Sequence, residues 1–163
     1  MATYISDKDR ALLREVLFEA LPDIFHNESI RTRALAHPRI YNIAYLVEIA
    51  LDRIGDLGFV DEEGYDYKKD FSDSKTTSMT HAINSNGYEI CTADIKGKNK
   101  IGPLRVCLYN QYLPIGEQIK FFFIPRHAYP GDFKISWTEE GNHYNKYHKY
   151  LVESFEILAK SVA

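Results

Sequence analysis

Cysteine is scarce: Cys91 and Cys107 are the only two in 163 residues, and both stand in apolar stretches that read as strands. Neither a disulfide framework nor a four-cysteine zinc site is open to such a chain, and two buried free thiols are expected. Long apolar runs are missing as well. Nothing approaches the roughly 18 consecutive apolar residues that a spanning helix needs, and the opening MATYISDKDR turns charged before a signal-peptide core could form. A cytoplasmic protein with no membrane partner is expected. Neither sign of charge dominates: 20 Lys and Arg against 23 Asp and Glu leave a net charge of -3. That balance excludes coating of nucleic acid by bulk charge and leaves room only for a local basic groove.

At 45% hydrophobic and 26% charged the composition is that of a folded protein, which excludes wholesale disorder and collagen-like or low-complexity architectures. The length suits one domain. We read residues 1–163 as a single domain, with 1–39 a helical extension and 40–163 the core. Ser6, Asp7 and Asp9 make a good helix start, followed by Leu12, Leu13, Val16, Leu17 and Ala20 at helical spacing up to Pro22. A short second helix fits Asn27 to Ala36, closed by His37-Pro38. From Ile40 to Ile54 the positions Ile40, Ile43, Ala44, Val47, Leu51 and Ile54 form one stripe, and Gly55 reads as the stop.

After Gly58 the texture changes to short runs rich in Tyr, Phe, Thr and Val, separated by turn residues. Strands are expected at Gly64 to Tyr67, Phe71 to Met79, Tyr88 to Lys96, Leu104 to Tyr109 and Ile119 to Ile124. The run Lys120-Phe121-Phe122-Phe123-Ile124-Pro125 lacks alternation, which predicts a central strand buried on both faces. From Asn142 helical spacing returns and predicts one closing helix. The fold class is therefore α+β, with N-terminal helices, a mixed sheet of about five strands and a C-terminal helix.

The segment from Tyr65 to Met79 holds the densest charge in a strand context. Strand side chains alternate, so Asp73 and Lys75 share one face while Ser72, Ser74 and Thr76 take the other. Asp66 lies seven positions before Asp73, and a bend between them would bring the two carboxylates together. Paired carboxylates with a lysine beside them suit phosphodiester hydrolysis. The acids hold a hard divalent cation, magnesium or manganese, and the lysine orients water or stabilises charge.

In these residues the chain resembles the PD-(D/E)XK nuclease superfamily, to which many type II restriction endonucleases belong. Asp66 would be the first acid, and Asp73-Ser74-Lys75-Thr76 would be the acid, variable residue, lysine and following Thr. Glu48, at the edge of the Ile40 to Ile54 stripe, would be the additional helix glutamate. The resemblance covers roughly Ile40 to Ala159 and implies a restriction-endonuclease-like core and magnesium-dependent cleavage of double-stranded DNA, most simply as a sequence-specific restriction enzyme. Asp66 and Asp73 would ligate metal, Lys75 would position or activate water, and Glu48 would support them. A homodimer would cut both strands of a palindromic site. A second register uses Asp94-Ile95-Lys96 with Asp73 as the upstream acid.

Lys96, Lys98, Lys100 and Arg105 form the most basic stretch and would contact DNA phosphates, with Thr76 adding a hydrogen bond. Two rivals stand beside this reading. His127, His143, Asn145 and His148 carry the residue types of a His-Asn-His nuclease without its spacing. A non-catalytic protein- or nucleic-acid-binding module would use the 12 tyrosines as a partner face.

Overall fold

A computed structural model of the protein describes residues 39–83, 87, 89–110, 112–114, 117, 119–138 and 143–162. The two helices expected before residue 38 lie outside this set. Helix α1 (Arg39–Gly55) follows the apolar stripe, with Val47, Ala50 and Leu51 wholly buried. Apolar side chains the size of Val and Leu each contribute about 1.5–3 kcal/mol when removed from water, so the stripe sets the docking face. Gly55 does not supply the left-handed stop expected of it; Asp56 adopts the positive φ, of 51°. Gly55 serves close approach instead, since a Cβ there would lie 2.1 Å from the Ala159 carbonyl oxygen in helix α2 (Phe155–Lys160).

Nine strands follow among the described residues: β1 (Phe59–Glu62), β2 (Tyr65–Tyr67), β3 (Asp73–Ser78), β4 (Thr80–Ile83), β5 (Glu89–Ile95), β6 (Leu104–Tyr109), β7 (Ile119–Ile124), β8 (Phe133–Ser136) and β9 (Leu151–Val152). They do not make one five-stranded sheet. A four-stranded mixed sheet has the order β3-β6-β7-β9, a three-stranded sheet the order β4-β5-β8, and β1 with β2 forms a hairpin. Within the four-stranded sheet only β3 and β6 run parallel. The expected strand Phe71 to Met79 is cut at both ends: Phe71 has a positive φ of 60°, and the chain breaks at the buried Met79 to enter β4 of the second sheet. Parallel pairing of β3 with β6 requires a crossover, and the β4–β5 hairpin supplies it.

The two faces of the four-stranded sheet bury different cores. Cys107 and Tyr109 join Val47, Leu51, Phe155 and Leu158 under the helices. Leu104, Val106, Leu108, Phe122 and Ile124 meet Ile135, Trp137 and Tyr147 on the other side. The α+β class holds, as three layers of helices, mixed sheet and antiparallel sheet. β6, rather than β7, is buried at every position, because β9 pairs β7 only at Phe121 and Phe122. The closing helix is also revised. His143–Tyr150 forms a 3-10 helix, Leu151–Val152 a short strand, and α2 starts only after Ser154, whose Oγ accepts from the Ile157 amide at 3.1 Å. Pairing with β7 overrides the helical spacing, and a new N-cap restarts it. Both cysteines are free thiols, and burial pushes the Cys107 thiol up to about 12. No helix among the described residues is long and apolar enough to cross a membrane.

Candidate active site

The β2–β3 connection determines where the acids go. The amides of Asp66 and Tyr67 both donate to the Ser72 carbonyl, at 2.9 and 3.1 Å, so the intervening residues fold back as a tight loop. Lys68 and Lys69 donate from their amides to Gly58 and Leu57, which ties the loop to the end of α1. At its apex the Ser72 amide donates to Asp70 Oδ1 at 3.0 Å, and Phe71 is held in the left-handed region, an outlier for a bulky side chain. Gly102 permits this conformation: a Cβ at that position would lie 2.2 Å from the Phe71 carbonyl oxygen.

The fold-back delivers Asp66 to the head of β3. Its Oδ2 accepts from the Ser74 amide at 2.8 Å, and its carboxyl lies within hydrogen-bonding reach of Asp73. Both acids are buried, at 6% and 3% exposure. Lys75 donates to Asp73 Oδ2 and Lys100 to Asp73 Oδ1, each at 3.0 Å. The Asp73–Lys75 contact follows from strand alternation. Lys100 arrives from the loop before β6, where its sequence neighbourhood suggests phosphates alone; no local pattern links residues 27 apart. On α1, the Glu48 carbonyl accepts from the Tyr67 hydroxyl at 2.8 Å, fixing the helix over β2.

Burial raises the proton affinity of Asp66 well above the usual carboxylate range, and the adjacent Asp73 raises it further. Glu48 rises from 4.5 to about 8, first through burial, then through the charges of Asp66, Asp61 and Asp73; Lys75 opposes this. The three acids and Lys75 thus sense one another. A carboxyl whose folded-state pKa is raised stabilises the fold fully below its unfolded value and loses that contribution as pH climbs through the folded value. For Glu48 that window runs from 4.5 to about 8. The metal-free protein is expected to melt at progressively lower temperature across this interval in scanning calorimetry, and Glu48→Gln to flatten the decline. A melting temperature that rises over the same window would contradict the arrangement.

Other expected site residues lie elsewhere. Arg105 is 1% exposed and is not available to DNA. Its guanidinium bonds Asp70 Oδ2 at 2.6 Å, Ser72 Oγ at 3.1 Å, the Ser161 carbonyl at 2.9 Å and the Leu158 carbonyl, and it stacks over Phe123. It clamps the acid loop to α2. A lone arginine in the apolar run Leu104–Tyr109 is the sequence signal for such an internal partner. Thr76 Oγ1 is buried with no protein partner and so is not displayed to DNA either. Asp94, on β5, is exposed and paired with Lys134 at 2.6 Å, in the sheet that does not contain Asp73; the second register is not assembled there. Lys96 and Lys98 are exposed in the β5–β6 loop region. His148 Nε2 lies 2.8 Å from the Ser136 carbonyl oxygen and its ring packs edge-on against Phe122, a packing role, while the side chains of His143 and Asn145 lie outside the described set.

Among the described residues no group of three or more His, Cys, Asp or Glu side chains is arranged to hold a metal ion. Magnesium does not require one, since it commonly takes one or two carboxylates and completes its shell with water and substrate phosphate. Asp66 and Asp73 offer two adjacent buried carboxylates as oxygen donors, and both Asp73 oxygens are also held by lysine ammoniums. No protein-family model, curated protein or solved structure matches the chain.

Proposed function

We propose that the protein is a magnesium-dependent endonuclease of the PD-(D/E)XK type, its fold serving as a restriction-endonuclease-like core that hydrolyses phosphodiester bonds of double-stranded DNA. One observation carries this reading: Asp66, Asp73 and Lys75 converge at the head of β3, with the charge of Glu48 coupled to all three. A lysine and two carboxylates in a buried setting are what in-line attack of water on a phosphodiester needs.

Asp66 and Asp73 are the residues to hold magnesium, which when bound offsets negative charge building on the phosphate and acidifies water. The chain's own groups do the rest. Lys75, tethered at 3.0 Å to Asp73, orients the attacking water and stabilises the charge that forms. Lys100, held on the other oxygen of Asp73, supplies a second positive charge for the phosphate. Glu48, whose charge is coupled to Asp66 and Asp73, supports the metal or the water. One site cuts one strand, so cleavage of a palindromic target uses two copies related by a two-fold axis.

The test is incubation of the purified protein with long mixed-sequence duplex DNA, in magnesium and in chelator. Discrete magnesium-dependent fragments are expected from a type II restriction enzyme, and a smear would assign a nonspecific nuclease. No cleavage by a folded protein would overturn the reading in favour of a non-catalytic binding module. Lys75→Ala and Lys96→Ala, assayed together, separate the two registers. The first is expected to lower the cleavage rate by about 10²–10³-fold, and the second to leave it within a few-fold of wild type.

A further inference from the structure

A cavity of about 250 Å³ is lined by His127, Ala128, Lys146, Tyr147, Lys149 and Tyr150. Among the described residues its walls carry two lysines, a histidine and two tyrosines and no carboxylate. Among the described residues neither Lys146 nor Lys149 is in an ion pair; each ammonium lies 5.2 Å from the ring centre of the adjacent tyrosine. Two ammonium groups on one wall attract an anion by charge-assisted hydrogen bonds, and the tyrosine rings beside them offer apolar contact to its organic part. The volume is below the ~300 Å³ at which pockets for drug-sized ligands begin, which suits a phosphate and its sugar better than a large cofactor.

The position of the cavity narrows its ligand. Asp73 pairs with Leu104, and Leu104 with Ile124, so the 3-10 turn Arg126–Ala128 leaves the same end of the sheet at which the acids sit. Two strand spacings, about 10 Å, separate the Asp73 and Ile124 backbones. Successive phosphates wind around the duplex and lie farther apart than the axial rise of about 3.4 Å, so this separation corresponds to a nucleotide or two along a strand.

A chain of contacts also joins the two places. Arg126 Nε donates to the Lys100 carbonyl at 3.0 Å and its Nη1 to the Tyr129 carbonyl at 2.6 Å. The Tyr129 hydroxyl donates to the Gly102 carbonyl at 2.7 Å, and Phe133 bridges the rings of Tyr129 and Tyr147. Lys100, at the other end of this connection, grips Asp73.

We propose that this cavity binds a backbone phosphate of the nucleic-acid strand, a nucleotide or two from the phosphate that is cut, with Lys146, Lys149 and His127 as donors and Tyr147 and Tyr150 as walls. The assignment rests on the nuclease reading and extends it: the cavity gives position on the strand rather than chemistry.

The test measures binding of a short fluorescein-labelled DNA duplex by anisotropy over a series of potassium chloride concentrations, without magnesium. Lys146→Ala/Lys149→Ala is expected to weaken binding at low salt and to reduce the slope of log K against log salt by about 0.9 for each phosphate no longer neutralised. Lys146→Arg/Lys149→Arg is expected to retain the wild-type slope. Circular dichroism of both variants checks that these exposed positions leave folding intact.

A duplex that is cut in magnesium but bound with equal slope by the alanine variant overturns the cavity assignment alone. Absence of both binding and cutting by the wild-type protein overturns the nuclease reading and the assignment with it. Adenosine 5′-monophosphate and inorganic phosphate serve as competitors. Tight binding of the free nucleotide with no slope change assigns the cavity to a mononucleotide and overturns the strand placement.

Discussion

Asp73→Asn is expected to abolish magnesium-dependent cleavage of duplex DNA, by at least about 10³-fold, the upper end of what loss of one preorganised charge-stabilising group produces. Asparagine keeps the shape of the side chain and removes its charge. That charge has three neighbours: Lys75 and Lys100 at 3.0 Å each, and the Asp66 carboxyl. Removing it takes away one of the two oxygen donors proposed for magnesium and frees the ammonium that is meant to direct water.

The effect on the fold is expected to be small. Asp73→Asn removes the like-charge contact with Asp66 while weakening two lysine contacts, and these changes oppose each other. The cleavage rate and the urea midpoint, measured on the same preparation, check both halves. Full activity with an unchanged midpoint would remove Asp73 from the mechanism. Unfolding would make it a structural residue.

Arg105→Ala is expected to act the opposite way, lowering stability by about 3–5 kcal/mol, the range for breaking a buried ion pair by deleting one partner. Asp70, held at 2.6 Å, and the carbonyls of Leu158 and Ser161 would lose their donor, and Phe123 would lose the cation stacked on it. The same substitution would release the loop that folds Asp66 back against Asp73, so cleavage should fall with stability.

Arg105→Lys is not expected to restore it, because one ammonium cannot reproduce a planar fork that serves two side chains and two carbonyls. Urea denaturation of Arg105→Ala, Asp70→Ala and the double variant gives the coupling directly. A coupling of about 0.5–3 kcal/mol is expected for groups in direct contact. An Arg105 that served DNA would instead change the salt dependence of binding and leave the denaturation midpoint alone.

Much of the local structure is legible in the residues. The Val47 and Leu51 stripe specifies α1, and Leu104–Tyr109 and Ile119–Ile124 have the limits their apolar runs predict. Alternation alone places Asp73 and Lys75 on one face. Each of these follows from a period of 2 or 3.6 residues, which acts within a few positions of the chain.

Other features depend on contacts that periodicity does not encode. The closing segment has helical spacing, yet residues 151–152 join β7 because Phe121 and Phe122 offer an open strand edge. Gly55 and Gly102 look like ordinary turn residues until the Ala159 and Phe71 carbonyls approach them.

Hydrophobic period and side-chain alternation are local properties, and they suffice for the α+β class, the principal helix and the acid-serine-lysine element at residues 73–75. Three outcomes needed the assembled fold: Asp66 folds back onto Asp73, Lys100 reaches it from 27 residues away, and Arg105 turns inward to clamp the loop. Those outcomes depend on parallel pairing of β3 with β6 and on the burial that this pairing imposes. Desolvation makes an unpaired charge costly, so the charges settle where partners from distant segments meet them.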